Sequence, residues 1–263
     1  VWDVESGECL RTFEGHGDRV KSAAFSPDGA LLLTASGDRT ARLWNSATGE
    51  CVRTLEGHRH VLTSAAFSSD GAHLVTASWD GTAKLWSMHS GECLCTLRGH
   101  HGCVNAAAYS PAGDQVLTAA DDGTAKLWSA LTGECFRTLA GHGGCAAAAT
   151  FSPDGETVLT GSMDRTARVW QAGTGCCLRE LGGHVDQLTA VAFSPDGATL
   201  LTASLDETVK LWSATSGQTL RKLKGHMDGI RSAVFSPPVS LWVEFSERIG
   251  ARPWPGASGG TAR

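Results

Sequence analysis

The sequence predicts an all-β protein built of repeated four-stranded units set around a common axis. Three observations carry that reading. The dipeptide Gly-His recurs at Gly15-His16, Gly57-His58, Gly99-His100, Gly141-His142, Gly183-His184 and Gly225-His226, always 42 residues apart. Tryptophan keeps the same period at Trp2, Trp44, Trp86, Trp128, Trp170, Trp212 and Trp254. The turn Phe25-Ser26-Pro27-Asp28-Gly29 returns as FSSDG, as YSPAG and twice more as FSPDG. Self-similarity at such a period marks an array whose units bury their faces against one another.

Within one unit the elements follow in order. VKSAAF (20–25) is a strand of apolar and small residues. It ends at Ser26-Pro27-Asp28-Gly29, a tight turn in which Pro presets φ, Asp bonds its own backbone and Gly accepts φ > 0. ALLLTAS (30–36) is a buried strand ending at the polar corner Gly37-Asp38-Arg39. TARLW (40–44) is a third strand, ATGE a further turn, and CVRTLEGH (51–58) an alternating outer strand. Short strands at this spacing argue a closed all-β architecture. No segment sustains a helical apolar period. One such unit cannot cover both of its faces, whereas units packed radially can, leaving only short edges.

The Gly-His pair, the strand-ending Trp, the Ser-Pro-Asp-Gly turn and the period resemble the WD-repeat β-propellers, in register from residue 1 to about 236. The Asp after the Trp survives only at Trp2-Asp3, with Asn45, Ser87, Ser129, Gln171 and Ser213 elsewhere, but that position varies in the family. The expected fold is a β-propeller of four-stranded blades in a single domain, 1–263. Residues 16–56, 58–98, 100–140, 142–182 and 184–224 supply five complete blades. A sixth is expected from both termini, the outer strand ECLRTF (8–13) zipping onto C-terminal strands near 230–235 and 240–246. Residues 236–263 read as a degenerate final repeat: Trp254, Ser258, Gly259, Thr261 and Arg263 align with Trp212, Ser216, Gly217, Thr219 and Arg221. Glu244 and Arg248 stand where Thr and Asp belong, and Pro253 and Pro255 remove ladder donors.

Each unit also carries His, Thr, Asp and Trp at fixed spacing. The sets are His16, Thr34, Asp38, Trp44; His58, Thr76, Asp80, Trp86; His100, Thr118, Asp122, Trp128; His142, Thr160, Asp164, Trp170; and His184, Thr202, Asp206, Trp212. Hydroxyl, imidazole and carboxylate together invite a hydrolase reading. Catalysis needs one asymmetric site, however, and five equivalent copies serve the repeat. The resemblance implies a hydrogen-bonded chain from indole to hydroxyl to imidazole to carboxylate. No catalytic residue, cofactor or metal is expected.

Composition narrows the partners. The net charge of −5 offers no basic field, so direct nucleic-acid binding is not expected. No apolar run approaches the ~20 residues that span a bilayer, so no membrane role is expected. The nine cysteines are an odd number, and five of them (Cys9, Cys51, Cys93, Cys135, Cys177) keep the period at the head of the outer strand, too far apart on successive units to pair. They read as free thiols in a reducing compartment, the cytoplasm or the nucleus. In CLCTLRGHHGC, Cys93, Cys95, His100, His101 and Cys103 are zinc-ligand types, but Cys93 and His100 already belong to the repeat. The chain opens on Val1, which reads as part of a larger chain or complex.

Function must then come from residues that vary at one structural position. The resemblance implies partner binding at the narrow end of the ring, by the residues three and five after the loop His and the residue before the conserved Asp. Those are Arg19, Lys21 and Gly37; Val61, Thr63 and Trp79; Cys103, Asn105 and Asp121; Cys145, Ala147 and Met163; Gln187, Thr189 and Leu205; and Gly229 and Arg231. Trp79 lies outside the tryptophan period, and exposed Trp, Met and Arg are enriched at binding hot spots. Trp79, Met163 and Leu205 are expected to form an apolar arc opposite Arg19, Lys21 and Arg231, suiting a peptide with an apolar anchor and an acidic group. The expected function is a non-catalytic protein-interaction scaffold. The alternatives are a ligand-sensing array of a larger signalling NTPase, suggested by units as alike as those of fungal incompatibility proteins, and a substrate receptor of a ubiquitin ligase. No P-loop is present.

Overall fold

The computed structural model describes residues 1–3 and 5–235 and the strand at 243–245. The first blade is β1 (Val20–Phe25), β2 (Leu31–Ser36), β3 (Ala41–Asn45) and β4 (Cys51–Leu55), an antiparallel meander paired in that order. The second is β5 (Leu62–Phe67), β6 (His73–Ser78), β7 (Thr82–Ser87) and β8 (Cys93–Arg98). The third is β9 (Val104–Tyr109), β10 (Gln115–Ala120), β11 (Thr124–Ser129) and β12 (Cys135–Ala140). The fourth is β13 (Ala146–Phe151), β14 (Thr157–Ser162), β15 (Ala167–Gln171) and β16 (Cys177–Leu181). The fifth is β17 (Leu188–Phe193), β18 (Thr199–Ser204), β19 (Val209–Ser213) and β20 (Thr219–Leu223). The described residues contain no helix.

The repeat builds its blades by local chemistry. In the first turn, Ser26 Oγ donates to Asp28 Oδ1, and Ala30 N–H donates to the same oxygen. Gly29, at φ 71°, closes the turn onto Ser26 O. The outer strand is shorter than its alternation suggests and stops at Leu55, because Gly57 at φ 143° turns the chain away. A bulge opposes Trp44 to Cys51, and the same irregularity recurs at Trp86, Trp128, Trp170 and Trp212.

Blades pack face to face in sequence order. The inner strands β1, β5, β9, β13, β17 and the following β21 (Ala233–Phe235) contact one another in series. Their small side chains, as in Ala106, Ala107 and Ala108, let them converge. Four of the five core clusters take Leu, with Ala or Val, from one blade and the Trp of the next. Leu33, Leu43 and Leu55 pack with Leu62, Leu74 and Trp86. Val75, Leu85 and Leu97 pack with Val104, Val116 and Trp128. Leu159, Val169 and Leu181 pack with Leu188, Leu200 and Trp212.

The expected sixth blade is not assembled from both termini within the described residues. β21 pairs with β22 (Val243–Phe245) as a two-stranded sheet that does not include the N-terminal segment. Residues 8–13 form no strand; they make one isolated bridge, Trp2 to Cys9, and Phe13 lies edge-on to Trp44 at 5.8 Å. That segment touches the first blade through Phe13 and through Arg11, which donates to Thr48 O, and does not pair with β21. The alignment expected for Trp254, Ser258, Gly259, Thr261 and Arg263, and the positions Arg248, Pro253 and Pro255, lie outside the described residues. The first blade shows the cost. Val20 and Phe25 are each 50% exposed, while their counterparts Leu62, Val104, Ala146 and Leu188 (for Val20) and Phe151 (for Phe25) are buried. Amide hydrogen exchange should therefore show β1 and β2 opening before β9 and β10. Equal protection of the two blades would contradict this difference in packing.

Candidate functional site

Four side chains meet in every complete blade. In the third, Trp128 Nε1–H donates to Thr118 Oγ1 at 2.8 Å, Thr118 lies 2.7 Å from His100 Nε2, and His100 Nδ1 lies 3.0 Å from Asp122 Oδ2. The other four blades repeat this through Trp44, Thr34, His16 and Asp38; Trp86, Thr76, His58 and Asp80; Trp170, Thr160, His142 and Asp164; and Trp212, Thr202, His184 and Asp206. The ends of the chain set its direction. An indole can only donate and a carboxylate can only accept, so Thr O–H donates to Nε2 and Nδ1–H donates to Asp. Both ring nitrogens of His100 are thus engaged, which leaves it no lone pair for a metal.

The electrostatics agree with neutral imidazoles beside ionised carboxylates. Burial pushes His58, His100, His142 and His184 below their ordinary value, against the opposing pull of each Asp. Burial would raise Asp80, but hydrogen bonds from Thr82, from Arg59 N–H and from His58 outweigh it and hold the carboxyl at about 2. Asp164 is held at about 2 in the same way, by Thr166, Gly143 N–H and His142 against burial. The chain stands in five equivalent copies, and in each it joins the Gly-His loop to the middle strands.

The narrow-end residues are brought together in pairs. Gly37, Trp79, Asp121, Met163 and Leu205 each donate a backbone N–H to Arg19, Val61, Cys103, Cys145 and Gln187 respectively, at 2.9–3.0 Å. Trp79 is 42% exposed and Met163 41%. Leu205 is half-buried beside Gly229. Arg19, Lys21, Asp121 and Arg231 are exposed.

Two features differ from the simple ring of free side chains. First, Lys21 does not stand across from Trp79: its Nζ lies 5.9 Å from the centre of the Trp79 ring, because the two sit on adjacent blades. Second, the residues five after the loop His are largely spent on tying blades together. Thr63 Oγ1 donates to Val104 O at 2.8 Å, Asn105 Nδ2 to Ala146 O at 3.1 Å, and Thr189 Oγ1 to Ile230 O. Asn105 also donates to Asp121 Oδ1 at 2.8 Å. Cys103 and Cys145 both lie near Asp121, and burial followed by that carboxylate raises both thiols. Val61, Ala147 and Gln187 are half-buried beside them. One contributor escaped the sequence reading: His60 lies 5.7 Å from Trp79, ring centre to ring centre. Its signal was available, since Asp18, Gly102, Gly144, Asp186 and Asp228 hold the same register.

Comparison with known proteins agrees with this geometry. The family model for the WD domain, G-beta repeat, matches residues 7–45, 49–87, 91–129, 133–171 and 175–213. The chain belongs to the WD40 repeat family. The WD40 unit begins at an outer strand, so each match joins the outer strand of one blade to three strands of the next. Similar curated proteins include the nuclear distribution protein PAC1 of Arthroderma otae, 49% identical over 43 residues, and the human WD repeat-containing protein 37, 46% identical over 43 residues. Either match covers 16% of this chain and 9% of the relative. The periodic tryptophan protein 2 homolog of Neurospora crassa is 46% identical over 43 residues, 16% of this chain and 5% of its own length. The chain thus matches about one repeat's length of each relative. WD40 repeat proteins generally act as protein-interaction scaffolds and are typically non-catalytic.

Two outcomes test the polar chain. Asp122→Ala should cost about 2–3 kcal/mol of stability, because His100, Thr124 and the His101 amide lose their shared acceptor; a urea unfolding curve like that of the wild type would refute the structural role. Stability should also fall in two stages on acidification. A folded-state His pKa below 6.5 means that the unfolded chain binds more protons, so stability present above pH 6.5 declines as pH drops below that value. Carboxyls held at about 2, against 3.8 ordinarily, give a second loss below about pH 4. Denaturant midpoints measured between pH 8 and pH 2 should resolve both.

Proposed function

We propose that this WD40 chain is a scaffold that binds a peptide or protein segment across the narrow end of its ring, through an apolar anchor and an acidic group. The observation that carries this reading is Trp79. It is outside the structural tryptophan set, 42% exposed, and flanked by His60 and the Lys21 ammonium. An aromatic face with a cation over it offers apolar area to an anchor and a charge to a carboxylate beside it. Met163 extends the apolar surface, and Arg19 and Arg231 add exposed guanidinium groups. The staples from Thr63, Asn105 and Thr189 hold the rim rigid, which lowers the entropy cost of docking. The nine free thiols suit a reducing compartment such as the cytoplasm or nucleus.

Peptides selected from a random displayed library against the chain should carry an aromatic or aliphatic residue near Asp or Glu. Their affinity should fall about tenfold or more for Trp79→Ala and for Arg19→Ala, with unchanged melting curves. Retained affinity in both variants would remove the narrow end as the binding face.

A further inference from the structure

A second site stands at the other end of the blades, where the repeat breaks its own rule. The third residue of the outer strand is arginine in its copies at Arg11, Arg53, Arg137, Arg179 and Arg221, and cysteine only at Cys95. Three of these arginines hydrogen-bond to the next blade. Arg11 Nη1 donates to Thr48 O at 2.8 Å. Arg53 donates through Nη1 to Ser90 O at 2.7 Å and through Nη2 to His89 O at 3.0 Å. Arg137 donates through Nη2 to Gly173 O at 2.9 Å. Each clamp crosses a glycine whose missing side chain leaves the room, as at Gly91 under Arg53, and Arg179 lies against Gly217 in the same place.

Between the second and third blades no guanidinium arrives. Cys95 Sγ sits over Gly133, and the carbonyls of Leu131 and Thr132, which hold the register of His89 and Ser90, receive no donor among the described residues. A cavity of about 720 Å³ stands there. The matching cavity between the fourth and fifth blades, which Arg179 lines, is about 360 Å³. The enlarged cavity has an acidic and acceptor-rich wall. Asp70 accepts from Ser68 and Asp114 from Ser110 through Oδ1, leaving each Oδ2 with no protein hydrogen bond. Gln115 Oε1 is buried with no donor at all. The rim is apolar and open, with Leu131 93%, Leu94 54% and Phe136 41% exposed.

We propose that this cavity receives an arginine of a partner protein, flanked in that partner by an apolar residue. The arginine supplies in trans the guanidinium that Arg11, Arg53 and Arg137 supply in cis. The planar fork matches two adjacent carbonyls and a carboxylate, which an ammonium or a neutral group does not. Leu131, Leu94 and Phe136 cover the flanking residue. The carboxylates repel an acidic ligand, so this surface and the narrow end select segments of opposite charge, and the proposal stands independently of the narrow-end reading.

The test is a displayed random peptide library selected on the chain and counter-selected on Cys95→Arg, which fills the cavity from within. Recovered peptides should share one arginine beside an apolar residue. Replacing that arginine by citrulline should weaken binding about tenfold or more, with lysine intermediate. Asp114→Asn, which keeps an acceptor for Ser110 and removes the charge, should weaken the same peptides and leave those lost in Trp79→Ala unaffected. Cys95→Arg should abolish their binding and raise the melting temperature. The proposal is overturned if no arginine is enriched, if citrulline binds equally, or if Asp114→Asn and Cys95→Arg both bind within twofold of wild type. Should Cys95→Arg fold poorly, counter-selection on Asp114→Asn decides alone.

Discussion

A four-stranded blade has two apolar faces and cannot cover either by itself. That constraint organises the whole protein. The middle strands are buried nearly throughout, as β6 and β10 show, so they need neighbours on both sides. The solution is a series in which each blade lends its Leu and Val face to the Trp of the next. Burial at about 25 cal/mol per Å² of apolar surface makes this the dominant favourable term, and it is earned only between blades. On the first blade Val20 is 50% exposed, where Leu62, Val104, Ala146 and Leu188 are buried.

Apolar packing alone does not fix where one blade's loop lies on its strands. The indole-to-carboxylate chain does that, by joining residues 18, 22 and 10 positions apart through side chains with little access to water. Its polarity follows from the chemistry of its two ends, and its cooperativity means that no member is dispensable. A chain of hydroxyl, imidazole and carboxylate can look catalytic in a sequence. Here its five equivalent copies and its directionality make it a fastener.

Departures from the repeat mark both of the proposed binding surfaces. Trp79 and His60 are departures at the narrow end, and Cys95, Asp114, Leu131 and Phe136 are departures at the opposite end. The two groups differ in charge as well as place: Lys21 lies over Trp79, while carboxylates line the cavity beside Cys95. The two proposed surfaces therefore suit two different segments.

The period alone determined the blade architecture, the strand order and the polar chain's membership, because these depend on contacts within one 42-residue unit that the chain repeats. What the tertiary structure decided lies between units. That Lys21 reaches Trp79, that Thr63, Asn105 and Thr189 are consumed as staples, and that a cysteine at position 95 coincides with a cavity all depend on how closely neighbouring blades approach. The N-terminal segment made the same point in the other direction. Its alternation was that of an outer strand, but a strand forms only where a partner edge is within hydrogen-bonding distance, and here Phe13 found the face of Trp44 instead.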